Sequence, residues 1–120
     1  MASEIGPIDD SESALIFVKL ATGGTIKCVV DTGFNGELFL PLSLAEVLEL
    51  QIAGEQEFEV AGGSILPAYI SLIEIDWLGH NRIAEVILNE GADQLLGTSL
   101  LKGTRLTIDY IHRSVEIEKP

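Results

Sequence analysis

Apolar and polar residues alternate with a period of two along most of the chain, the pattern of strands with one buried and one wet face. Residues 14–20 are apolar and β-branched, residues 21–24 (Ala-Thr-Gly-Gly) are turn formers, and residues 25–31 return with Ile26, Cys28 and Val30 on one face and Lys27 and Val29 on the other. A hairpin is predicted there, with Gly23-Gly24 supplying the positive φ of its turn. Residues 31–36 (Asp-Thr-Gly-Phe-Asn-Gly) are too rich in turn formers to continue the strand. Residues 37–40 form a short extended piece ending at Pro41. Helical spacing is confined to residues 43–50, where Ser43 and Glu46 have capping-box spacing and Leu44, Val47 and Leu48 make an apolar stripe. The two-residue period then resumes. Residues 56–60 are one arm, 61–64 a tip, and 65–77 a long return arm interrupted at Pro67, in which Ile73, Ile75 and Trp77 alternate with Glu74 and Asp76. Residues 78–81 turn, 82–88 form a strand, 89–93 a loop and 94–97 a short buried strand. Residues 98–102 make one helical turn closed by Gly103, and 105–110 with 114–117 a final hairpin. Residues 1–12, acidic and with little to bury, read as a flexible arm, and 13–120 as one domain. Short strands, turns about every 8–12 residues and one or two short helices predict an all-β barrel or sandwich.

Composition narrows the function classes. A chain of 120 residues is one ordinary domain. Seven Lys and Arg against 19 Asp and Glu give a net charge of −12, which repels phosphate backbones and anionic membrane surfaces. No nucleic acid and no membrane are therefore expected as partners. A hydrophobic fraction of 47% excludes acidic disorder for most of the chain. The apolar runs fall short of the roughly 20 residues that span a bilayer. The acidic start lacks the basic and apolar regions of a signal peptide, and a lone cysteine forms no internal disulfide, so a cytoplasmic location is expected. One cysteine and two distant histidines make no zinc-type cluster. Cys28 reads as a buried structural thiol, His80 and His112 as surface turn residues, and Trp77 as packing.

The segment that carries chemistry is Cys28-Val-Val-Asp-Thr-Gly33. An apolar strand delivers a carboxylate at its end, Thr32 is placed to lock the turn by hydrogen bonding, and Gly33 lets a backbone approach closely. About thirty residues on lies the glycine-tipped hairpin Val60-Ala-Gly-Gly-Ser-Ile65. About sixty residues on, Gln94-Leu-Leu-Gly97 leads directly into Thr98-Ser-Leu-Leu-Lys102. In this order and spacing the chain resembles the retropepsin-like aspartic proteases, single-domain relatives of pepsin, from about Leu15 to Tyr110. The resemblance implies a retropepsin-like barrel, Asp31 as the catalytic carboxylate, Thr32 as a brace between paired loops and Gly33 beside the substrate backbone. It implies Leu95, Leu96 and Gly97 as the support packed behind the catalytic loop. Phe34 and Asn35, together with a flap at Ala61, Gly62, Gly63, Ser64 and Ile65, are the implied substrate contacts. The chain departs from retroviral members at Phe34, which follows the triplet where many carry a small residue. It departs again at Asn35 and Thr98, which replace dimer-bracing acidic and arginine residues, and in continuing some ten residues past Tyr110. A terminal-strand dimer sheet of the retroviral kind is therefore not assumed.

The aspartic mechanism needs two carboxylates about 3 Å apart sharing one proton, with no metal and no cofactor. The ionised member takes a proton from the attacking water and the protonated member donates to the peptide carbonyl. The chain holds one Asp-Thr-Gly; Asp76 precedes Trp77 and Asp109 precedes Tyr110. Counting alone then requires the second carboxylate from another copy, in a C2 homodimer with the site on its axis. The expected activity is endopeptidase cleavage of a protein or peptide bound as an extended strand. The alternative is a non-catalytic peptide-binding or dimerisation module on the same fold, which a monomer stable at high concentration would indicate. Two copies each at −12 repel, so dimerisation and activity are expected to favour mild acid, towards the pI of about 4.3, or high salt.

Overall fold

The protein is described from a computed structural model covering residues 2–59 and 62–120, with backbone alone at 58 and 59. Ten strands and two short helices follow in chain order: β1 (Ala2–Pro7), β2 (Leu15–Leu20), β3 (Thr25–Val30), β4 (Leu38–Pro41), α1 (Leu42–Val47), β5 (Gly54–Glu59), β6 (Ile65–Trp77), β7 (His80–Asn89), β8 (Leu95–Leu96), α2 (Thr98–Leu101), β9 (Arg105–Asp109) and β10 (Ser114–Lys119). Seven strands make one sheet in the order β2-β3-β8-β4-β7-β6-β5, and three make a second in the order β1-β10-β9. The fold is all-β, as the alternation predicts. It is not a closed barrel. The large sheet curls until β2 meets β6 over two residue pairs, Lys19↔Asp76 and Leu20↔Ile75, while β5 stays outside as an edge.

The β2–β3 hairpin turns at Gly23 and Gly24, with φ of 101° and 84°. Its inward residues Ile16, Val18, Ile26 and Cys28 join Leu38, Leu40, Ile75, Val86, Leu88 and Leu96 in the core. Val115 and Ile117 of β10 reach the same core, which joins the two sheets. Cys28 is fully buried and unbridged, and its burial pushes the thiol pKa up to about 12. Trp77 is buried as expected. No helix among the described residues is long and apolar enough to cross a membrane.

Three local expectations are corrected. Residues 2–7 are no flexible arm: they pair in full antiparallel register with β10, from Ala2↔Lys119 to Pro7↔Ser114. Hydropathy hides this strand because its buried positions are Glu4 and Gly6 while Ile5 points outward. Glu4 Oε2 accepts the Leu78 amide at 2.9 Å, and Glu4 Oε1 lies 3.8 Å from Lys19 Nζ. At Gly6 a Cβ would stand 1.7 Å from the Leu15 carbonyl oxygen, so only glycine fits. Helix α1 starts at Leu42 with Pro41 in the cap position, so Ser43 lies inside the first turn and makes no cap. Strand β6 runs unbroken through Pro67. There it pairs with Glu57 of β5, and its pairing with β7 begins only at Tyr69, so Pro67 has one neighbouring strand instead of two.

Candidate active site

Asp31 stands at the end of β3, where the parallel pairings Val29↔Leu95 and Val30↔Leu96 hold the strand against β8. The Asp31 amide donates to the Leu96 carbonyl at 2.9 Å, so β8 holds the backbone that carries the carboxylate. The chain then turns: the Phe34 amide donates to the Asp31 carbonyl at 3.2 Å, and the Gly33 amide to Asp31 Oδ1 at 2.8 Å. That second bond orients a half-buried carboxylate and leaves Oδ2 without a hydrogen bond among the described residues. A Cβ at Gly33 would lie 3.2 Å from Asp31 Oδ1, tight enough to disturb that orientation. Thr32 is exposed and its hydroxyl makes no hydrogen bond among the described residues, so the turn is locked by backbone amides instead.

The loop that follows is tied down from afar. The Thr98 amide donates to the Phe34 carbonyl at 2.8 Å and Thr98 Oγ1 to the same oxygen at 3.3 Å. The Ser99 amide donates to the Gly36 carbonyl, Ser99 Oγ to the Asn35 carbonyl, and the Gly97 amide to the Glu37 carbonyl. Glycine at 97 is obligatory here. A Cβ would stand 2.2 Å from the Gly36 carbonyl oxygen and 2.6 Å from that of Phe34. The Phe34 ring is half-buried between the backbones of Gly36 and Gly97 and meets Phe39 edge-on at 5.6 Å. It braces the loop from inside. Asn35 is exposed.

Sequence reasoning missed three members of this arrangement. Ser99 binds the loop as closely as Thr98 does. Glu37 Oε1 accepts the Glu85 amide at 2.9 Å, and Glu37 Oε2 pairs with Arg82 of β7. An acid–arginine pair therefore does brace the loop, from residues the motif does not include. The only sequence signal was a glutamate closing a turn-rich segment, which is too common to single out.

The proposed flap is a separate feature. β5 and β6 pair from Gly54↔Ile70 to Glu59↔Ile65, and the tip carries Gly62 and Gly63 at φ of 95° and 82°. Ser64 and Ile65 are exposed, and Ala61 lies outside the described residues. No hydrogen bond among the described residues joins residues 62–65 to Asp31. No second carboxylate is hydrogen-bonded to Asp31, and no three His, Cys, Asp or Glu side chains cluster as metal ligands, again among the described residues.

No family profile matches the chain. An uncharacterized protein of Archaeoglobus fulgidus is 32% identical over 114 residues, spanning 86% of this chain and 84% of the relative. Among solved structures, a retropepsin-like aspartic protease from Rickettsia conorii matches with a TM-score of 0.69 at 19% identity, over 97% of this chain and 98% of that one. The retroviral protease-like domain of Ddi1 from Leishmania major matches with a TM-score of 0.55 at 17% identity, over 90% of each chain.

Proposed function

The chain belongs to one family with the Archaeoglobus fulgidus protein and has the retropepsin-like fold, and from that premise we propose that it is an aspartic endopeptidase acting as a C2 homodimer. The observation that carries this reading is the carboxylate of Asp31 at a strand end, oriented by the Gly33 amide, with its backbone held by Leu96. Oδ2 is left to face a second Asp31 across the axis. In such a pair like charges about 3 Å apart hold one proton between them. The ionised oxygen deprotonates the attacking water while the protonated one hydrogen-bonds the scissile carbonyl, and the roles reverse for the leaving amine. Thr32, exposed beside the carboxylate, is positioned to bond the partner loop. An extended peptide would lie over Gly33 and Asn35, covered by residues 61–65.

The test is cleavage of a mixed peptide library between about pH 3.5 and pH 7.5, where a carboxylate dyad works. Wild type and Asp31→Asn are compared by mass spectrometry, with sedimentation of the same samples. Asp31→Asn is expected to lose at least about 10³-fold in rate while keeping its dimer and its unfolding midpoint. Dimerisation is expected to tighten from about pH 8 to about pH 5 at low salt, because each copy carries −12. Equal cleavage by both proteins would refute Asp31 as the catalytic group. Dimers that cleave nothing would favour the peptide-binding module.

A further inference from the structure

Four of the seven lysines and arginines are paired with carboxylates: Lys19 with Glu4, Arg82 with Glu37, Arg105 with Glu118 and Arg113 with Glu12. Among the described residues, Lys27, Lys102 and Lys119 have no such partner. Lys102 follows α2 and Lys119 ends β10, yet both line one pocket of about 110 Å³ together with His80 and Arg82 of β7. Trp77, Leu78 and Leu100, all buried, supply its apolar lining. Thr104 also lines it, with its hydroxyl donated to the Leu101 carbonyl.

Among the described residues no acidic side chain lines this pocket, in a chain where acids outnumber lysines and arginines 19 to 7. The neighbouring carboxylates are committed elsewhere. Glu4 accepts the Leu78 amide and faces Lys19; Glu37 accepts the Glu85 amide and pairs with Arg82. Gathering cations without an acid costs repulsion that a bound anion would relieve. Arg82 can serve both sides, because a guanidinium has five donors and one carboxylate does not exhaust them.

We propose that this pocket is a binding site for a phosphate group. Arg82, Lys102 and Lys119 supply three positive charges and Glu37 offsets one, which suits a doubly charged tetrahedral oxyanion better than a single carboxylate. The pocket opens to solvent, so the phosphate is either a free ion or the end of a larger ligand. The site does not depend on Asp31 or on cleavage.

The experiment is amide NMR of the full chain at constant ionic strength, titrated separately with inorganic phosphate, phosphoserine and acetate. Phosphate is expected to give saturable shifts at residues 80, 82, 102, 104 and 119. Lys102→Gln with Lys119→Gln is expected to weaken it about tenfold or more. Lys27→Gln removes the third unpaired lysine, which does not line the pocket, and is expected to leave the affinity unchanged. The substituted side chains are exposed, and the dispersion of each spectrum verifies folding. Tighter binding of phosphoserine than of phosphate assigns the site to a phosphorylated ligand, and the reverse order assigns it to the free ion. Shifts that fail to saturate by about 50 mM phosphate, equal weakening by Lys27→Gln, or acetate binding as tightly as phosphate would each overturn the proposal.

Discussion

The loop at 31–37 and the hairpin tip at 62–65 are both rich in turn formers, and they are held in opposite ways. In the loop, the carbonyls of Phe34, Asn35, Gly36 and Glu37 are taken by donors at 97–99, about sixty residues downstream. A side chain from β7 adds the Arg82–Glu37 pair. At the tip, the described bonds are those of its own two strands, and β5 is a sheet edge. Ile65 is 62% exposed and Leu66 42%. Turn composition therefore says little about rigidity. What decides it is whether distant elements satisfy the loop's backbone carbonyls. Under the proposed function, a carboxylate held by distant elements and a hairpin tip held only by its own strands would be the division of labour that cleavage of varied peptides requires.

The largest effect should come from Gly97→Ala. A methyl there meets two backbone oxygens at 2.2 and 2.6 Å and the Phe34 ring at 2.5 Å, none of which can swing away as a flexible side chain would. The expected cost is about 3 kcal/mol or more, with loss of cleavage even at temperatures where the protein stays folded. Urea unfolding together with the peptide assay measures both. If Gly97→Ala were as stable as wild type, the ties between α2 and the loop would not be what shapes it.

The same contrast explains how much of the molecule was legible in the sequence. The hairpin β2–β3, the long arms of β5 and β6, and the burial of Cys28 are set by a two-residue period, which is a local signal. The Asp31 turn was legible as a motif, and Leu95-Leu96-Gly97 by its spacing from that motif. Ser99, Glu37 and Arg82 were not, because their roles arise only when segments distant in sequence meet. Strand β1 was hidden for a different reason. Its inward positions are a carboxylate that caps the Leu78 amide and a glycine forced by backbone contact, and neither registers in hydropathy. The excess of cations in the pocket of His80, Arg82, Lys102 and Lys119 was masked by the strongly negative total.

The second prediction sharpens the rigid side of the comparison. Cys28 sits on β3, three residues before Asp31, with its pKa raised by burial from 9.0 to about 12. Below about pH 9 the thiol is protonated in both folded and unfolded chains and has no effect on their balance. Between 9 and about 12 the unfolded chain gives up a proton that the folded chain keeps, so stability falls as pH rises. The loss is about 1.4 kcal/mol per pH unit, or about 2–3 kcal/mol by pH 11. Urea midpoints from pH 8 to pH 11 for wild type and Cys28→Ala provide the check. The extra alkaline loss should vanish in the variant, whose slope then reflects the remaining groups alone. Parallel slopes would mean that water reaches the strand behind Asp31.

The smallest effect tests the adaptable side. Gly62 has a φ of 95°, and a Cβ added there meets nothing within 4 Å among the described residues. Gly62→Ala therefore carries only a backbone penalty, about 1–2 kcal/mol for a left-handed alanine. Because the tip is joined to the sheet through one strand pair, it can relax locally without unfolding the core. The global unfolding free energy is expected to move by less than about 0.5 kcal/mol. The penalty should surface instead when a peptide must be covered, as a rise in KM of severalfold with kcat less affected. The comparison with Gly97→Ala is then direct: two glycine-to-alanine changes, one expressed in the whole fold and one only in binding. If Gly62→Ala destabilised the protein as much as Gly97→Ala, the tip would belong to the cooperative core and could not serve as a movable cover.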